Sequence, residues 1–308
     1  MSSLIIGTRG SSLALFQANH IQSLIENKLN IQCTIKVIKT KGDSDQKTSL
    51  PLVGDKGFFT KEIESELTKK SIDLAVHSMK DLPTDLDEQF TIVAVSKRVS
   101  PYDVMITKKP LKFKDLPQKA ILATGSLRRS LQIKELRPDL KIVDIRGNIN
   151  TRLKRLFTNN WHGVIMAEAA VKRLNLTNYY HVFSKQEMIP AAAQGVIAVE
   201  TLASRNNLNN IISKINHKLT CDEVNIERKI IHQLDGGCKT PIGCLASTNK
   251  NIVTINTYLS NLRGNKSFKL ERSGPVEEKD TIIDQIISDA MDMGAKEIIY
   301  ENIKGLNV

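Results

Sequence analysis

Apolar residues recur along this chain with two periods, and the alternation between them predicts the fold. Leu4 to Ile6 is a short apolar run that ends in the turn-like Gly7-Thr8-Arg9-Gly10-Ser11. Behind it Leu13, Phe16, His20, Ile21, Leu24 and Ile25 keep the three-and-four spacing of a helix face. Ile31, Cys33, Ile35 and Val37 then alternate with Gln32, Thr34 and Lys36, the period of a half-buried strand, which puts Cys33 in a core. A loop carrying Gly42, Asp43, Asp45, Gly54 and Gly57 leads to a predicted helix over about 60–70, with Ile63 and Leu67 on one face. A predicted strand over 72–76 runs into His77-Ser78-Met79-Lys80-Asp81-Leu82-Pro83.

The middle third repeats this rhythm. Strands are predicted over 120–124, 140–145 and 163–167. Helices are predicted from Ser126, as N-cap, to just before Pro138, over 150–157, and through Leu174, with Arg146-Gly147-Asn148 as a turn. Such alternation implies βαβ units and a largely parallel sheet. Gly7-Thr8-Arg9-Gly10-Ser11 is echoed by Ala123-Thr124-Gly125-Ser126, both where a strand enters a helix, which points to two related α/β domains. The last third differs. Thr220-Cys221-Asp222-Glu223 has capping-box spacing and is expected to start a helix ending at Gly236-Gly237. Strands over 252–258 and 267–270, a helix over 279–294 and a final strand over 297–300 would make a small α+β domain.

Charge adds a direction to this outline. The 308 residues carry a net charge of +11, and between Lys97 and Tyr180 there are 18 Lys and Arg against 6 Asp and Glu. The rest of the chain is close to neutral, so the basic middle third favours an anionic partner. Nucleic acid is one candidate, but aromatics are 5% of the chain, leaving few stacking platforms, and no zinc-finger or RNP-type motif is present. No apolar run approaches a membrane span of roughly 20 residues. The opening Met-Ser-Ser-Leu-Ile-Ile-Gly lacks a basic segment followed by a long apolar one, so no secretory signal is expected. Four cysteines, Cys33, Cys221, Cys238 and Cys244, make no disulfide framework in so long a chain. The expected compartment is reducing cytosol.

The arginines carry the strongest pattern. Arg9, Arg128, Arg129, Arg146 and Arg152 all fall at or just beyond a predicted strand-to-helix junction. In open α/β sheets those junctions line the ligand crevice, and helix N-termini there offer N–H groups to anions. The planar guanidinium fork suits carboxylates, although any one of these arginines taken alone also fits a surface position. Asp81, after Lys80 at another junction, has two readings: a carboxylate that steadies a developing cation or moves a proton, or a cap paired with Lys80. Cys238, on a Gly-flanked loop beside Lys239, suits a reactive thiolate, with an inert buried cysteine as the alternative. His217, Cys221, His232, Cys238 and Cys244 are close in sequence, but their spacings fail the usual zinc forms, and no metal is expected.

Taken together, several segments resemble the porphobilinogen deaminase (hydroxymethylbilane synthase) family. They are Gly7-Thr8-Arg9 with Ser11, Lys56-Gly57-Phe58-Phe59-Thr60-Lys61-Glu62, Ala75 through Pro83, Thr124-Gly125-Ser126-Leu127-Arg128-Arg129, Arg146-Gly147-Asn148, Thr151-Arg152-Leu153, Lys172-Arg173-Leu174, Gln194-Gly195, and Gly236-Gly237-Cys238 with Pro241-Ile242-Gly243. The resemblance is collinear over essentially the whole chain. It implies an α/β fold with two domains like type II periplasmic binding proteins, a cleft between them, and a small C-terminal α+β domain. The implied boundaries are 1–97 with 196–215, 98–195, and 216–308, the chain crossing back into the first domain before the third. It further implies a dipyrromethane cofactor bound covalently to Cys238, porphobilinogen as substrate, no nucleic-acid partner and a monomer. By the same resemblance Asp81 is catalytic. Arg9, Ser11, Lys80, Ser126, Arg128, Arg129, Arg146, Arg152 and Arg173 hold carboxylates, and Lys56 and Phe59 lie on a loop that covers the site. Three positions depart from the family pattern: Gly125 where a second serine is common, Ala193 where glycine is usual, and Glu168 in a stretch that is normally small and apolar.

Overall fold

The computed structural model describes residues 3–40, 60–234 and 240–305. Among them, one compact unit holds residues 3–40, 60–99 and 195–222, and a second holds 100–194, 223–234 and 240–305.

The first unit is built on a five-stranded sheet of order β2-β1-β3-β10-β4. Its strands are β1 (Leu4–Thr8), β2 (Cys33–Val37), β3 (Leu74–Ser78), β4 (Phe90–Val95) and β10 (Ile197–Leu202). Helix α1 (Ser12–Leu29) follows β1, and α2 (Lys61–Thr68) precedes β3. Ser11 starts α1 by accepting from the Ala14 N–H at 3.3 Å, and Asn30 ends it in the left-handed region at φ 56°. One face of the sheet (Leu4, Ile6, Leu74, Val76, Ile197, Val199) packs on Ala18, Ile21 and Ile25 of α1. The other face places Ala75 and Leu202 against Ile63 and Leu67 of α2. Strand β3 begins and ends two residues later than the apolar run suggested, so His77 and Ser78 belong to the sheet itself.

The second five-stranded sheet, in the second unit, has order β7-β6-β8-β5-β9. It comprises β5 (Asp103–Thr107), β6 (Ile121–Ala123), β7 (Lys141–Val143), β8 (Gly163–Ala167) and β9 (Tyr179–Val182), with helices α3 (Leu127–Leu136), α4 (Ile149–Thr158) and α5 (Glu168–Arg173). The two sheets share one plan. Strands β1 and β6 each pair in parallel with the next strand and with the one after it. Strands β10 and β5 each run antiparallel between two neighbours. The antiparallel strand enters the second sheet first in sequence but reaches the first sheet last. Helices α6 (Asn206–Ile212) and α7 (Lys218–Gln233) follow β10.

A separate three-stranded antiparallel sheet, β11 (Ile242–Asn249), β12 (Ile252–Ser260) and β13 (Ser267–Pro275), carries α8 (Lys279–Asp292) and α9 (Ala295–Gly305). It shares the second unit with the sheet of β5–β9. The Tyr258 hydroxyl donates to Glu135 of α3 at 2.8 Å, and Cys244 N–H donates to the Pro190 carbonyl at 2.9 Å. Two sequence expectations fail here. Residues 297–300 are helix, not strand: Ala295, Ile298, Ile299 and Asn302 are buried at helical spacing, which a four-residue window cannot reveal. Helix α7 also starts at Lys218, ahead of the capping-box segment, which lies in its first turns.

Two of the three departures have local causes. Ala193 sits in the left-handed region at φ 59°, which costs a residue with a Cβ about 1–2 kcal/mol. Its N–H donates at 2.6 Å to fully buried Glu227, whose other oxygen accepts from the Ala246 N–H at 2.9 Å. At Gly125 a Cβ would stand 2.7 Å from the Ile145 carbonyl oxygen. A serine there would force apart the turns that lead into α3 and α4.

Candidate active site

The turn from β1 into α1 and the end of β3 together form a recess in the first unit. It is lined by Arg9, Ser11 and Asp81, and also by Gln17, Thr60, His77 and Ser78, beside Leu13, Ala14 and Val76. The geometry follows from the sheet. Parallel β1 and β3 both end at this edge, so the residues just past each strand converge there. Asp81 closes a short 3-10 turn, Met79–Asp81, and is exposed, whereas Lys80 in the same turn is half-buried and is not among the lining residues. Gln17, only 2% exposed, ties α1 to β3 by donating to the Ser78 hydroxyl at 2.8 Å. Gln17, Thr60, His77 and Ser78 escaped the sequence reading as lining residues. Their signal was positional: Gln17 is a polar residue on the inner face of an amphipathic helix, and Ser78 follows an apolar strand.

In the second unit Ser126, Arg128, Arg129, Arg146 and Arg152 stand at or near the strand-to-helix junctions that lead into α3 and α4. Ser126 occupies the N-cap position of α3, yet its side chain makes no capping bond. Arg128 and Arg129 turn inward, each 6% exposed. Their shared partner is Asp103 at the head of β5, fully buried. Its Oδ2 accepts from Arg128 Nη2 at 2.9 Å, and its Oδ1 accepts from Arg129 Nη2 at 2.7 Å and Nε at 2.9 Å. Gln194 adds a donor to Oδ1 at 2.9 Å, and Arg128 Nη1 donates to the Ile189 carbonyl at 2.7 Å. Burial pushes the Arg128 guanidinium below its ordinary value, Asp103 pulls it back up and Arg129 pushes it down again. Counting these three charged side chains, the cluster keeps one positive charge at the N-terminus of α3.

At the next junction Arg152 Nε donates to the Gly147 carbonyl at 2.8 Å, and Arg146 lies 4.0 Å from exposed Asp144. Arg173, at the end of α5, is 6% exposed, and desolvation lowers its guanidinium to about 10. Glu168, the third departure, is buried in the second unit. It accepts from the Ser100 hydroxyl, and its other oxygen meets Lys172 Nζ at 3.0 Å, so its charge is satisfied locally. Lys56, Phe59 and Cys238 lie outside the described residues. No cluster of His, Cys, Asp or Glu suited to a metal is found among the described residues, and no described helix is long and apolar enough to cross a membrane.

The fold is thus a pair of like α/β sheets with a small sheet appended, and its first unit offers cationic and hydroxyl donors beside a carboxylate. That donor set fits a group carrying carboxylates on a ring that becomes positively charged. Residues 4–210 match the family described as "Porphobilinogen deaminase, dipyromethane cofactor binding domain", and residues 221–296 match "Porphobilinogen deaminase, C-terminal domain". A porphobilinogen deaminase from Syntrophomonas wolfei is 39% identical over 99% of this chain and 100% of its own length. One from Chloroherpeton thalassium is 38% identical over 97% of each chain. A solved periplasmic binding protein of an arginine transport system from Legionella pneumophila aligns with 18% identity and a TM-score of 0.40, covering 70% of this chain and 92% of its own. The chain belongs to the porphobilinogen deaminase family, transferases of tetrapyrrole and haem biosynthesis whose larger matched segment is a dipyrromethane-binding domain.

Proposed function

We propose that this chain joins four porphobilinogen molecules head to tail on a dipyrromethane primer attached to Cys238, losing ammonia at each step, and then releases the linear tetrapyrrole hydroxymethylbilane by hydrolysis. The observation that carries this reading is the recess in which Asp81 stands with Arg9 and Ser11, inside the segment that matches the cofactor-binding domain. Each pyrrole unit brings two carboxylates, so a lengthening product needs a growing set of cations. Arg9, Ser11, Lys80, Ser126, Arg146, Arg152 and Arg173 supply donors for them. Arg128 and Arg129 contribute the net positive charge that Asp103 leaves uncompensated. Bound dipyrromethane supplies the pyrrole carbon from which the product grows. The Asp81 carboxylate, fixed by its short turn, steadies positive charge on a pyrrole nitrogen of the substrate as ammonia departs. The working division of labour is 1–97 with 196–215, 98–195, and 216–308, in a cytosolic monomer.

Intact mass tests the proposal. Purified protein should exceed its sequence mass by two linked pyrrole units, mapping to the peptide that contains Cys238, and Cys238→Ser should lack both the excess and the activity. An unmodified wild type that consumes porphobilinogen at full rate would overturn it. So would an unmodified protein that binds polyanions and consumes none.

A further inference from the structure

One lining residue of the recess, His77, belongs to a buried ionisable pair with Glu200 that the roles above leave unused. Strand β10 runs antiparallel to β3 with Ala198 opposite His77 and Glu200 opposite Ala75. Because side chains alternate, His77 and Glu200 leave the sheet on the same face, the one α2 covers. His77 Nε2 lies 3.1 Å from Glu200 Oε2, and the two side chains are 4% and 0% exposed. Glu200 Oε1 meets no hydrogen-bond partner among the described residues. His77 nevertheless lines the same recess as Asp81. Glu64 of α2 faces the pair. Burial raises its carboxyl, Thr60 lowers it, and the charge on Glu200 raises it again, with smaller contributions from His77 and Asp87.

A carboxylate with no exposure and one bare oxygen is costly to bury, and apolar residues of similar volume would fill the space more cheaply. The arrangement is suited to setting a tautomer. In the tautomer in which Glu200 accepts the Nε2 proton, Nδ1 carries the lone pair and is the basic atom of the ring. We propose that His77, oriented by Glu200, is a further catalytic residue: its Nδ1 takes the proton that a pyrrole carbon sheds at each condensation. Every condensation forms one C–C bond between that carbon and the aminomethyl carbon of the incoming porphobilinogen. The C–N bond breaks, and nitrogen leaves with the bonding pair as ammonia. The ring carbon releases one proton to His77, which passes it on to the ammonia, so ammonium is the net by-product and no other reactant is needed. Asp81 then serves the developing cation, and His77 the proton.

The inference rests on the deaminase reading, and the two fail differently. Wild-type protein lacking the cofactor mass would sink that reading before His77 is tested. With cofactor-loaded enzyme confirmed by mass, His77→Gln keeps an amide toward Glu200 but has no base. Its kcat should fall about 10²-fold with KM nearly retained. Porphobilinogen deuterated at its free ring carbon should then react more slowly than the protonated form, by a margin larger than in the wild type. Glu200→Gln should show the same isotope trend with a smaller loss of rate. An unchanged isotope effect in a folded His77→Gln enzyme overturns the proposal. Should that variant fail to fold, nitrogen-15 NMR of the wild-type holoenzyme decides. Among its six histidines, the resonance that shifts in Glu200→Gln must belong to a ring protonated on Nε2. A proton on Nδ1 instead would leave no base at the recess and would overturn the proposal equally.

Discussion

Arg9 and the Arg128–Arg129 pair stand at corresponding junctions of two sheets with one topology, yet they meet opposite surroundings. Arg9 lines an open recess with an exposed carboxylate nearby. Arg128 and Arg129 are drawn inward onto Asp103, a strand residue 25 and 26 positions earlier. The serines differ in the reverse sense. Ser11 spends its hydroxyl on capping α1, whereas Ser126 makes no cap bond. A shared topology therefore fixes where a cation sits but not what it faces, because the buried counter-ion comes from a strand distant in sequence. In the first sheet the corresponding central strand β10 carries Glu200 in the interior, and its partner is His77, not the junction arginine.

The sharpest way to break this contrast is to remove each carboxylate in turn. Asp103→Ala should destabilise the protein by about 3–5 kcal/mol, because two buried guanidinia lose their common partner. Urea or thermal unfolding measures this, and a stability loss below about 1 kcal/mol would show that Arg128 and Arg129 are satisfied by other means. Asp81→Ala should leave stability nearly untouched, since Asp81 is exposed. Its cost should appear in single-turnover kcat, roughly 10²-fold or about 3 kcal/mol, on enzyme confirmed by mass to carry the cofactor. Asp81→Glu should retain more of the rate than Asp81→Ala. A change in KM alone would make Asp81 a binding residue. The smallest effect belongs to the backbone: Ala193→Gly should raise the urea midpoint by up to about 1 kcal/mol of stability, as glycine relieves the φ of 59° but frees the unfolded chain. An unchanged or lowered midpoint would mean that unfolded-state freedom outweighs the relief.

What the sequence made legible was local. Helix α1 and strands β1 and β2 follow from spacing, since each buries one stripe or one face against its neighbours. Asp81, Arg9 and Ser11 were also legible, because each lies within a few residues of its strand end. Strand β10 was not. All six of its residues are buried, so no alternation marks it, and its partners β3 and β4 lie about a hundred residues earlier. The inward turn of Arg128 and Arg129 had a single faint cue, an aspartate at the head of the apolar run Val104-Met105-Ile106. The helix α9 was misread because two adjacent isoleucines and a tyrosine suit a strand as well as a helix until the buried Ala295 and Asn302 are known.

The late return of β10 also governs the order in which this molecule is made. Among the described residues β4 pairs only with β10, and β10 covers Ala75 to Ser78 along one edge of β3. On a ribosome, β5 through β9 are made and emerge ahead of Ile197, so the second sheet can close while the first still waits for the strand between β3 and β4. Closing the first sheet then spans a loop of roughly a hundred residues, whose entropy must be met before the pairing stabilises anything. A nascent chain stopped short of Ile197 would present β4 without a partner and the edge of β3 uncovered, an invitation to pair with another chain. Translation speed through that interval is thus a determinant of yield for a protein whose chemistry lies elsewhere.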